Sequence, residues 1–183
     1  MKVSYFTIVL FPKLELSTEF QQLRERFAPN IDQPEPYIQL VLPWVPADLG
    51  EILSVIDFIS HTRRNLHPLA ITVEKWQRAG ETIIGEITRG QEAILALRRS
   101  LTGVEPSPLL LSEEELKSHL ILFRVADPNA LDPALTEANR MGKTLGVIDS
   151  LYLIRTLPDG MGQRVARFPF GVGRVDYYEQ LTS

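Results

Sequence analysis

The sequence predicts an α+β protein with an internal duplication. It should have two lobes of β-α-β-α-β order, with sheets facing a central cleft and helices outside. Three observations support this. Strand-like apolar runs alternate with helix-like segments in the same order twice. Each helix-like segment has one apolar face, as expected for a helix that covers a sheet from outside. The strand start at Tyr37 recurs 82 positions later at His119 (119 − 37 = 82).

The first half of the chain, at about residues 1–80, contains three predicted strands and two predicted helices. The strands are rich in β-branched and aromatic residues and cover 3–11, 37–42 and 69–76. A capping-box pattern at 18–21 predicts the start of the first helix, and apolar residues at i, i+3 and i+7 continue it. Asp48 with Glu51 marks the start of the second helix, which has a wide apolar stripe.

The second half, at about residues 81–183, repeats this order. Its predicted strands cover 82–87, 119–125 and 147–154, and a last apolar run at 165–170 adds an edge strand. Its predicted helices cover 91–101 and 131–141, each with one apolar face. We therefore expect one bilobal domain over 1–183, in which the two halves form similar lobes around a pseudo-two-fold axis.

Composition restricts the classes of function. The chain has 183 residues, 44% of them hydrophobic and 23% charged, as in ordinary globular proteins. A net charge of −4 argues against a broad duplex-DNA surface, but it allows a small phosphorylated ligand held by a few local donors. The absence of cysteine excludes disulfides, thiolate zinc sites and cysteine nucleophiles. No apolar run reaches the ~20 residues of a membrane span, and no signal-peptide pattern opens the sequence, so we expect a cytoplasmic protein without a membrane partner.

Side-chain alternation predicts which residues face the cleft. Along each of the two equivalent strands, successive side chains point to opposite faces. The better core sets are Ile38, Leu40 and Leu42 in the first strand and Leu120 and Leu122 in the second. Tyr37 and Gln39 should therefore point toward the shared cleft, together with His119 and Ile121.

The segments 36–43 (PYIQLVLP) and 118–125 (SHLILFRV) carry a family resemblance. With the element order of nearly the whole chain, they resemble the 2H phosphoesterase superfamily, which includes bacterial 2'-5' RNA ligase-like proteins and cyclic nucleotide phosphodiesterases. Members of this superfamily have two strand motifs of the form His, any residue, Thr or Ser, then an apolar residue. The resemblance implies that the two histidines act as general base and general acid. It also implies that the hydroxyls hold the phosphate, and that no metal is needed.

The motif positions of this chain depart from that pattern. Tyr37 stands in place of the first histidine, Gln39 in place of the first hydroxyl residue and Ile121 in place of the second, while His119 is kept. Imidazole, with a pKa of about 6.5, exchanges protons near neutral pH, whereas a tyrosine at about 10 is a poor base. Each missing proton-transfer group costs about 10²–10⁴-fold in rate.

Three functions follow from these residues. The first is a degenerate phosphoesterase-like protein that binds a nucleotide or RNA-end phosphate with weak or no catalysis, with Gln39 as a phosphate ligand. The second is an active phosphodiesterase that uses His119 and Tyr37 as its catalytic pair. The third is a non-catalytic interaction protein whose cleft is filled by side chains, since Ile121 and Phe123 share the cleft face with His119. Separately from these functions, a purely structural interpretation makes His119 a buried histidine bonded to the backbone and Tyr37 a packing aromatic. The chain offers no metal-ligand cluster, so we expect no metal and no cofactor.

Overall fold

The structure is a computed structural model, which describes residues 4–29, 34–101, 118–125, 127–157 and 162–178. Over these residues the strands are β1 Tyr5–Leu10, β2 Lys13–Leu14, β3 Ile38–Trp44, β4 Leu69–Ala79, β5 Thr82–Arg89, β6 His119–Arg124, β7 Thr144–Ile148, β8 Ser150–Thr156, β9 Gly162–Pro169 and β10 Asp176–Tyr177. The α-helices are α1 Ser17–Phe27, α2 Leu49–Thr62, α3 Gln91–Ser100 and α4 Leu131–Met141. The predicted α+β class, with two sheets facing a cleft and helices outside, is confirmed.

The strands form two antiparallel sheets, and both halves of the chain contribute strands to each sheet. The first sheet has the order β10-β9-β8-β1-β3, and the second has the order β2-β7-β4-β5-β6. β4 comes from the first half of the sequence but pairs with β5 and β7 in the second sheet. β8, β9 and β10 come from the second half but belong to the first sheet. Each sheet therefore contains strands from both halves.

The segment 147–154 was predicted as one strand, and this prediction is wrong. The chain leaves the second sheet at the end of β7 and enters the first sheet at β8, with only Asp149 between them. The Asp149 carboxylate binds Lys13 Nζ at 2.5 Å and accepts a hydrogen bond from Ser150 Oγ at 2.8 Å. The exposed positions of β7, Leu145 and Val147, are themselves apolar, so the end of β7 is not marked by a change in the apolar pattern of the sequence.

One predicted helix start is confirmed and the other is wrong. Asp48 caps α2, since its side chain accepts a hydrogen bond from the Glu51 backbone N–H at 3.0 Å. The capping box predicted at 18–21 does not form. α1 begins at Ser17 after Leu16, and no side chain caps it. Thr18 is therefore already inside the first turn, where its hydroxyl is not in the N-cap position.

The helices cover the outer faces of the sheets. α1 packs beside α4 on the second sheet, where the Phe20 ring lies 5.0 Å from the Trp76 ring of β4. The residue that follows α2, Arg63, is buried and donates hydrogen bonds to three backbone carbonyls at the end of β9, those of Pro169, Gly171 and Gly173. The opposite faces of the two sheets are left to form the cleft. Within the described ranges, no helix is long and apolar enough to cross a membrane.

The charge cluster at the crossover between the sheets predicts a pH-dependent contribution to stability. Burial raises the pKa of Asp149, but hydrogen bonds from Lys13 and Ser150 and the charges of Lys13 and Arg167 outweigh it, so the pKa lies below its ordinary value. A carboxyl whose pKa is lower in the folded state stabilises the fold above about pH 4, and this contribution is lost as pH falls further. Asp149→Asn should therefore lower the free energy of unfolding at pH 7 by about 1 kcal/mol or less.

Urea unfolding of wild type and variant at neutral and at acid pH checks this prediction. The difference between the two proteins should shrink as the pH falls below about 4. Asp57→Asn is the control, since Asp57 is an exposed residue of α2. A stability loss in Asp149→Asn that is the same at both pH values would mean that the carboxylate charge is not its cause.

Candidate functional site

The two motif strands meet at the join between the sheets. Tyr37 lies directly before β3, and its backbone N–H donates to the Ile121 carbonyl at 3.0 Å. The Ile121 N–H donates back to the Tyr37 carbonyl at 2.7 Å, which makes an isolated antiparallel bridge. β3 and β6 are each an edge strand of their sheet, so this pair of hydrogen bonds joins the two sheets. Residues paired in this way point their side chains to the same face.

The pairing does not extend beyond this one bridge. Continued in register, it would place Gln39 opposite His119 (39 + 119 = 37 + 121). Instead, the Gln39 carbonyl accepts a hydrogen bond from Arg98 Nη2 at 2.7 Å, and His119 pairs with Glu86 of β5. The two motif strands therefore diverge after touching, and the guanidinium of Arg98 occupies the edge of β3 at the point of divergence.

Tyr37 is half-buried among aromatic rings. Its ring meets Phe11 edge-on at 6.3 Å, and Phe11 in turn meets Tyr152 edge-on at 4.9 Å. Burial raises the pKa of Tyr37 above its ordinary value, because the phenolate would lose hydration. The hydroxyl makes no hydrogen bond to the described part of the chain, so it is a free donor that stays protonated at neutral pH.

Gln39 and His119 are also half-buried. The Gln39 amide makes one long contact, with Nε2 at 3.4 Å from the Val41 carbonyl. The His119 ring makes no hydrogen bond to any residue that the structure describes. His119 is thus only partly buried, and none of the described carbonyl groups holds its ring.

Two residues lie on faces that alternation did not predict. Leu42 was expected in the core but is 42% exposed, because the register of β3 against β1 shifts between Gln39 and Val41. Phe123 was expected on the cleft face with His119 but is 1% exposed, because the register of β6 against β5 shifts between Ile121 and Phe123. A β-bulge adds a residue to one strand and changes the facing of the residues around it.

A cavity of about 530 Å³ opens on the cleft face of the first sheet. It is lined from β1, β3, β8 and β9, and its rim is formed by α1 and by Pro34 and Glu35. Tyr37 and Gln39 line it, whereas His119 and Ile121 are not among its lining residues. The structure thus places two of the three predicted site residues in one cavity, and the third across the join between the sheets.

The cavity contains a charged residue that the sequence did not single out. The Arg164 guanidinium lies 4.8 Å from the centre of the Phe11 ring and 5.3 Å from that of Tyr152. Its Nη2 binds Glu35 Oε1 at 2.8 Å. In the sequence, Arg164 is one of several arginines near the last strands, and no local pattern separates it from the others. Its position depends on contacts with residues more than a hundred positions away.

No metal site is found among the described residues, where no group of three or more His, Asp or Glu side chains could hold an ion. The chemistry that the arrangement offers is therefore hydrogen bonding and positive charge. Tyr37 and Gln39 supply neutral donors and Arg164 supplies a cation. An anion with several acceptor oxygens matches this set of donors.

Several solved structures share this fold. E. coli LigT complexed with phosphate matches with a TM-score of 0.58 at 9% identity, over 93% of this chain and 99% of that chain. E. coli LigT complexed with 3'-AMP matches with a TM-score of 0.60 at 10% identity, over 91% and 98%. A structure described as a phosphoesterase matches with a TM-score of 0.61 at 10% identity, over 92% and 99%. No family model and no curated protein matches the sequence. The chain therefore shares its fold with E. coli LigT and with this phosphoesterase.

The environment of Tyr37 predicts a late step in the tyrosine titration. The chain has 5 tyrosines, and burial raises the pKa of Tyr37 and of Tyr152. Because the folded state disfavours the phenolate, the fold loses stability as the pH rises above about 10. Tyr37→Phe should remove part of the latest ionisation in an ultraviolet titration of the folded protein and reduce this alkaline loss of stability.

The control is Tyr5→Phe, since Tyr5 is an exposed residue of β1. This variant should leave the late part of the titration in place. If Tyr37→Phe also leaves it unchanged, the phenol of Tyr37 is not held in a desolvated site.

Proposed function

We propose that the chain is a 2H phosphoesterase-like protein that binds a nucleotide or RNA-end phosphate in the cleft where β3 and β6 meet, with weak or no catalysis. The observation that carries the proposal is the reciprocal backbone pairing of Tyr37 with Ile121, which brings both motif strands to one cleft. The proposal keeps the expected cytoplasmic location and the single bilobal domain over 1–183, and it needs no cofactor.

The donors in the cavity support phosphate binding. The Tyr37 hydroxyl and the Gln39 amide both line it, and each can donate to a phosphate oxygen. E. coli LigT, which shares the fold, has been solved with phosphate, 3'-AMP, ATP and NADP⁺. A cavity of about 530 Å³ also lies within the range of small-molecule sites, which is roughly 300–1,000 Å³.

The same residues support weak catalysis. A phosphodiester cleavage needs one group that accepts a proton and one that donates it near neutral pH. Tyr37 cannot serve as the base, because burial raises its pKa further from neutrality. Ile121 has no polar atom in its side chain to replace a phosphate-binding hydroxyl. His119 alone keeps an imidazole at a motif position, and it lies outside the cavity that Tyr37 lines.

A second candidate is an active phosphodiesterase with a rebuilt site. His119 would be the base, Tyr37 the acid, and Gln39 would orient the phosphate. Two observations favour it. His119 is only partly buried, and its ring makes no hydrogen bond to the described residues. The raised pKa of Tyr37 keeps its hydroxyl protonated, as an acid requires. The third function, an interaction protein with a filled cleft, has less support, since the cavity beside Tyr37 is open.

Hydrolysis and binding assays on four proteins test these candidates. Wild type, His119→Ala, Tyr37→Phe and the control His67→Ala are compared on nucleoside 2',3'-cyclic phosphates, with binding of nucleoside 2'- and 3'-monophosphates measured by calorimetry. His67 is an exposed residue of the loop before β4, and it does not line the cavity. We expect turnover that is slow or absent, since each missing proton-transfer group costs about 10²–10⁴-fold. Nucleotide binding should weaken in Tyr37→Phe and persist in His67→Ala.

The outcomes separate the candidates. Turnover that vanishes in His119→Ala and falls in Tyr37→Phe would establish the second candidate in place of the first. Turnover at the wild-type rate in His119→Ala would exclude the mechanism with His119 as base. The first candidate fails if the wild type binds neither these nucleotides nor short RNA ends.

A further inference from the structure

Arg164 is held in the cavity by stacking. The guanidinium lies over the rings of Phe11 at 4.8 Å and Tyr152 at 5.3 Å, within the distance at which a cation is attracted to an aromatic face. Its side chain remains 38% exposed. Stacking restricts the plane of the guanidinium and leaves its N–H groups available at the edge. Arg164 is therefore a preorganised donor on the cleft face, close to the ring system that also contacts Tyr37.

Glu35 forms an ion pair with Arg164 in the structure. Its Oε1 lies 2.8 Å from Arg164 Nη2, and its side chain is 65% exposed. An exposed pair of this kind contributes only about 0–1 kcal/mol to stability. A carboxylate and a phosphate present similar oxygen geometry to a guanidinium. A ligand anion can thus replace Glu35 on Arg164 at little cost to the fold.

The charges around the cavity favour an incoming anion. Of the described residues that line it, Arg24 and Arg164 are cationic, and Glu35 is the one carboxylate. Displacement of Glu35 toward solvent would leave the Arg164 guanidinium open to a ligand beside the neutral donors Tyr37, Gln39 and Thr156. A phosphate ester carries up to about two negative charges and three acceptor oxygens, so it engages such a set better than the single charge of Glu35 does.

We propose that Arg164 is the anion-binding residue of this cavity and that Glu35 is an internal competitor, which a phosphate ester displaces when it binds. The proposal rests on the proposed function for the identity of the ligand as a nucleotide or RNA-end phosphate. The displacement itself requires only an anion of this chemistry. Glu35 then sets the affinity of the site without contacting the bound ligand.

Calorimetric titration with inorganic phosphate and with a nucleoside 3'-monophosphate tests the proposal. Glu35→Gln removes the competing charge and should tighten binding of both ligands by about two- to fivefold. Arg164→Gln should weaken binding by about tenfold or more, because a hydrogen-bonded cation is lost. Arg164→Lys keeps the charge without the planar stack, so its affinity should lie between those of wild type and Arg164→Gln.

The matched control is Glu81→Gln. Glu81 forms an exposed ion pair with Arg124, at 2.5 Å, and its loss changes the net charge by the same amount as Glu35→Gln. Glu81 does not line the cavity, so phosphate binding should stay at the wild-type level. Thermal unfolding of each variant confirms that differences in binding come from folded protein.

The outcomes separate this inference from the proposed function. Equal tightening in Glu35→Gln and Glu81→Gln overturns the role of Glu35 as competitor. Wild-type affinity in Arg164→Gln overturns the role of Arg164 as the anion-binding residue. Either result stands even where nucleotide binding depends on Tyr37. Binding of inorganic phosphate that depends on Arg164, without any binding of nucleotides, supports this inference while the proposed function fails. No binding of either ligand to wild type or to Glu35→Gln overturns it.

Discussion

Two backbone hydrogen bonds between Tyr37 and Ile121 join the edge of one sheet to the edge of the other. They connect the edge strands of two sheets that the described structure joins through no other strand bridge. Because the paired residues point to one side, the bridge also decides which faces of the sheets look into the cleft. Tyr37 and Ile121 take their common facing from this contact. Arg98 then limits its length, since its guanidinium binds the Gln39 carbonyl where a second pair of strand hydrogen bonds would form.

Local patterns in the sequence were sufficient for much of the fold. The periodicity of apolar residues predicted all four α-helices that the structure describes, and Asp48 was recognised as a cap from its own side chain and its spacing to Glu51. The two motif strands were also recognised, because each is a short apolar run bounded by polar or proline residues. These features depend on neighbours within a few positions, which a single sequence contains.

The features that the sequence did not predict depend on pairing between distant strands. Leu42 and Phe123 changed faces because of bulges, and a bulge is defined only by the partner strand. The crossover at Asp149 was missed because apolar residues continue from β7 into β8 with only Asp149 and Ser150 between them. Arg164 could not be distinguished from its neighbours, since its partner Glu35 lies 129 positions away. The sequence therefore predicted the motif positions of the candidate site, whereas Arg164 could be assigned to the site only from the structure.

The chain cannot be cut at its middle into two parts that each hold a complete sheet, because the halves exchange strands. β4 lies in the second sheet although it precedes the turn at Gly80, and β8 and β9 complete the first sheet from the far end of the chain. A polypeptide cut at this turn would yield two fragments, each of which lacks strands of the sheet it begins. Neither fragment contains all the strands of either sheet. The two halves of the chain are thus interlocked, and fragments cut at this turn would complete both sheets only by associating with each other.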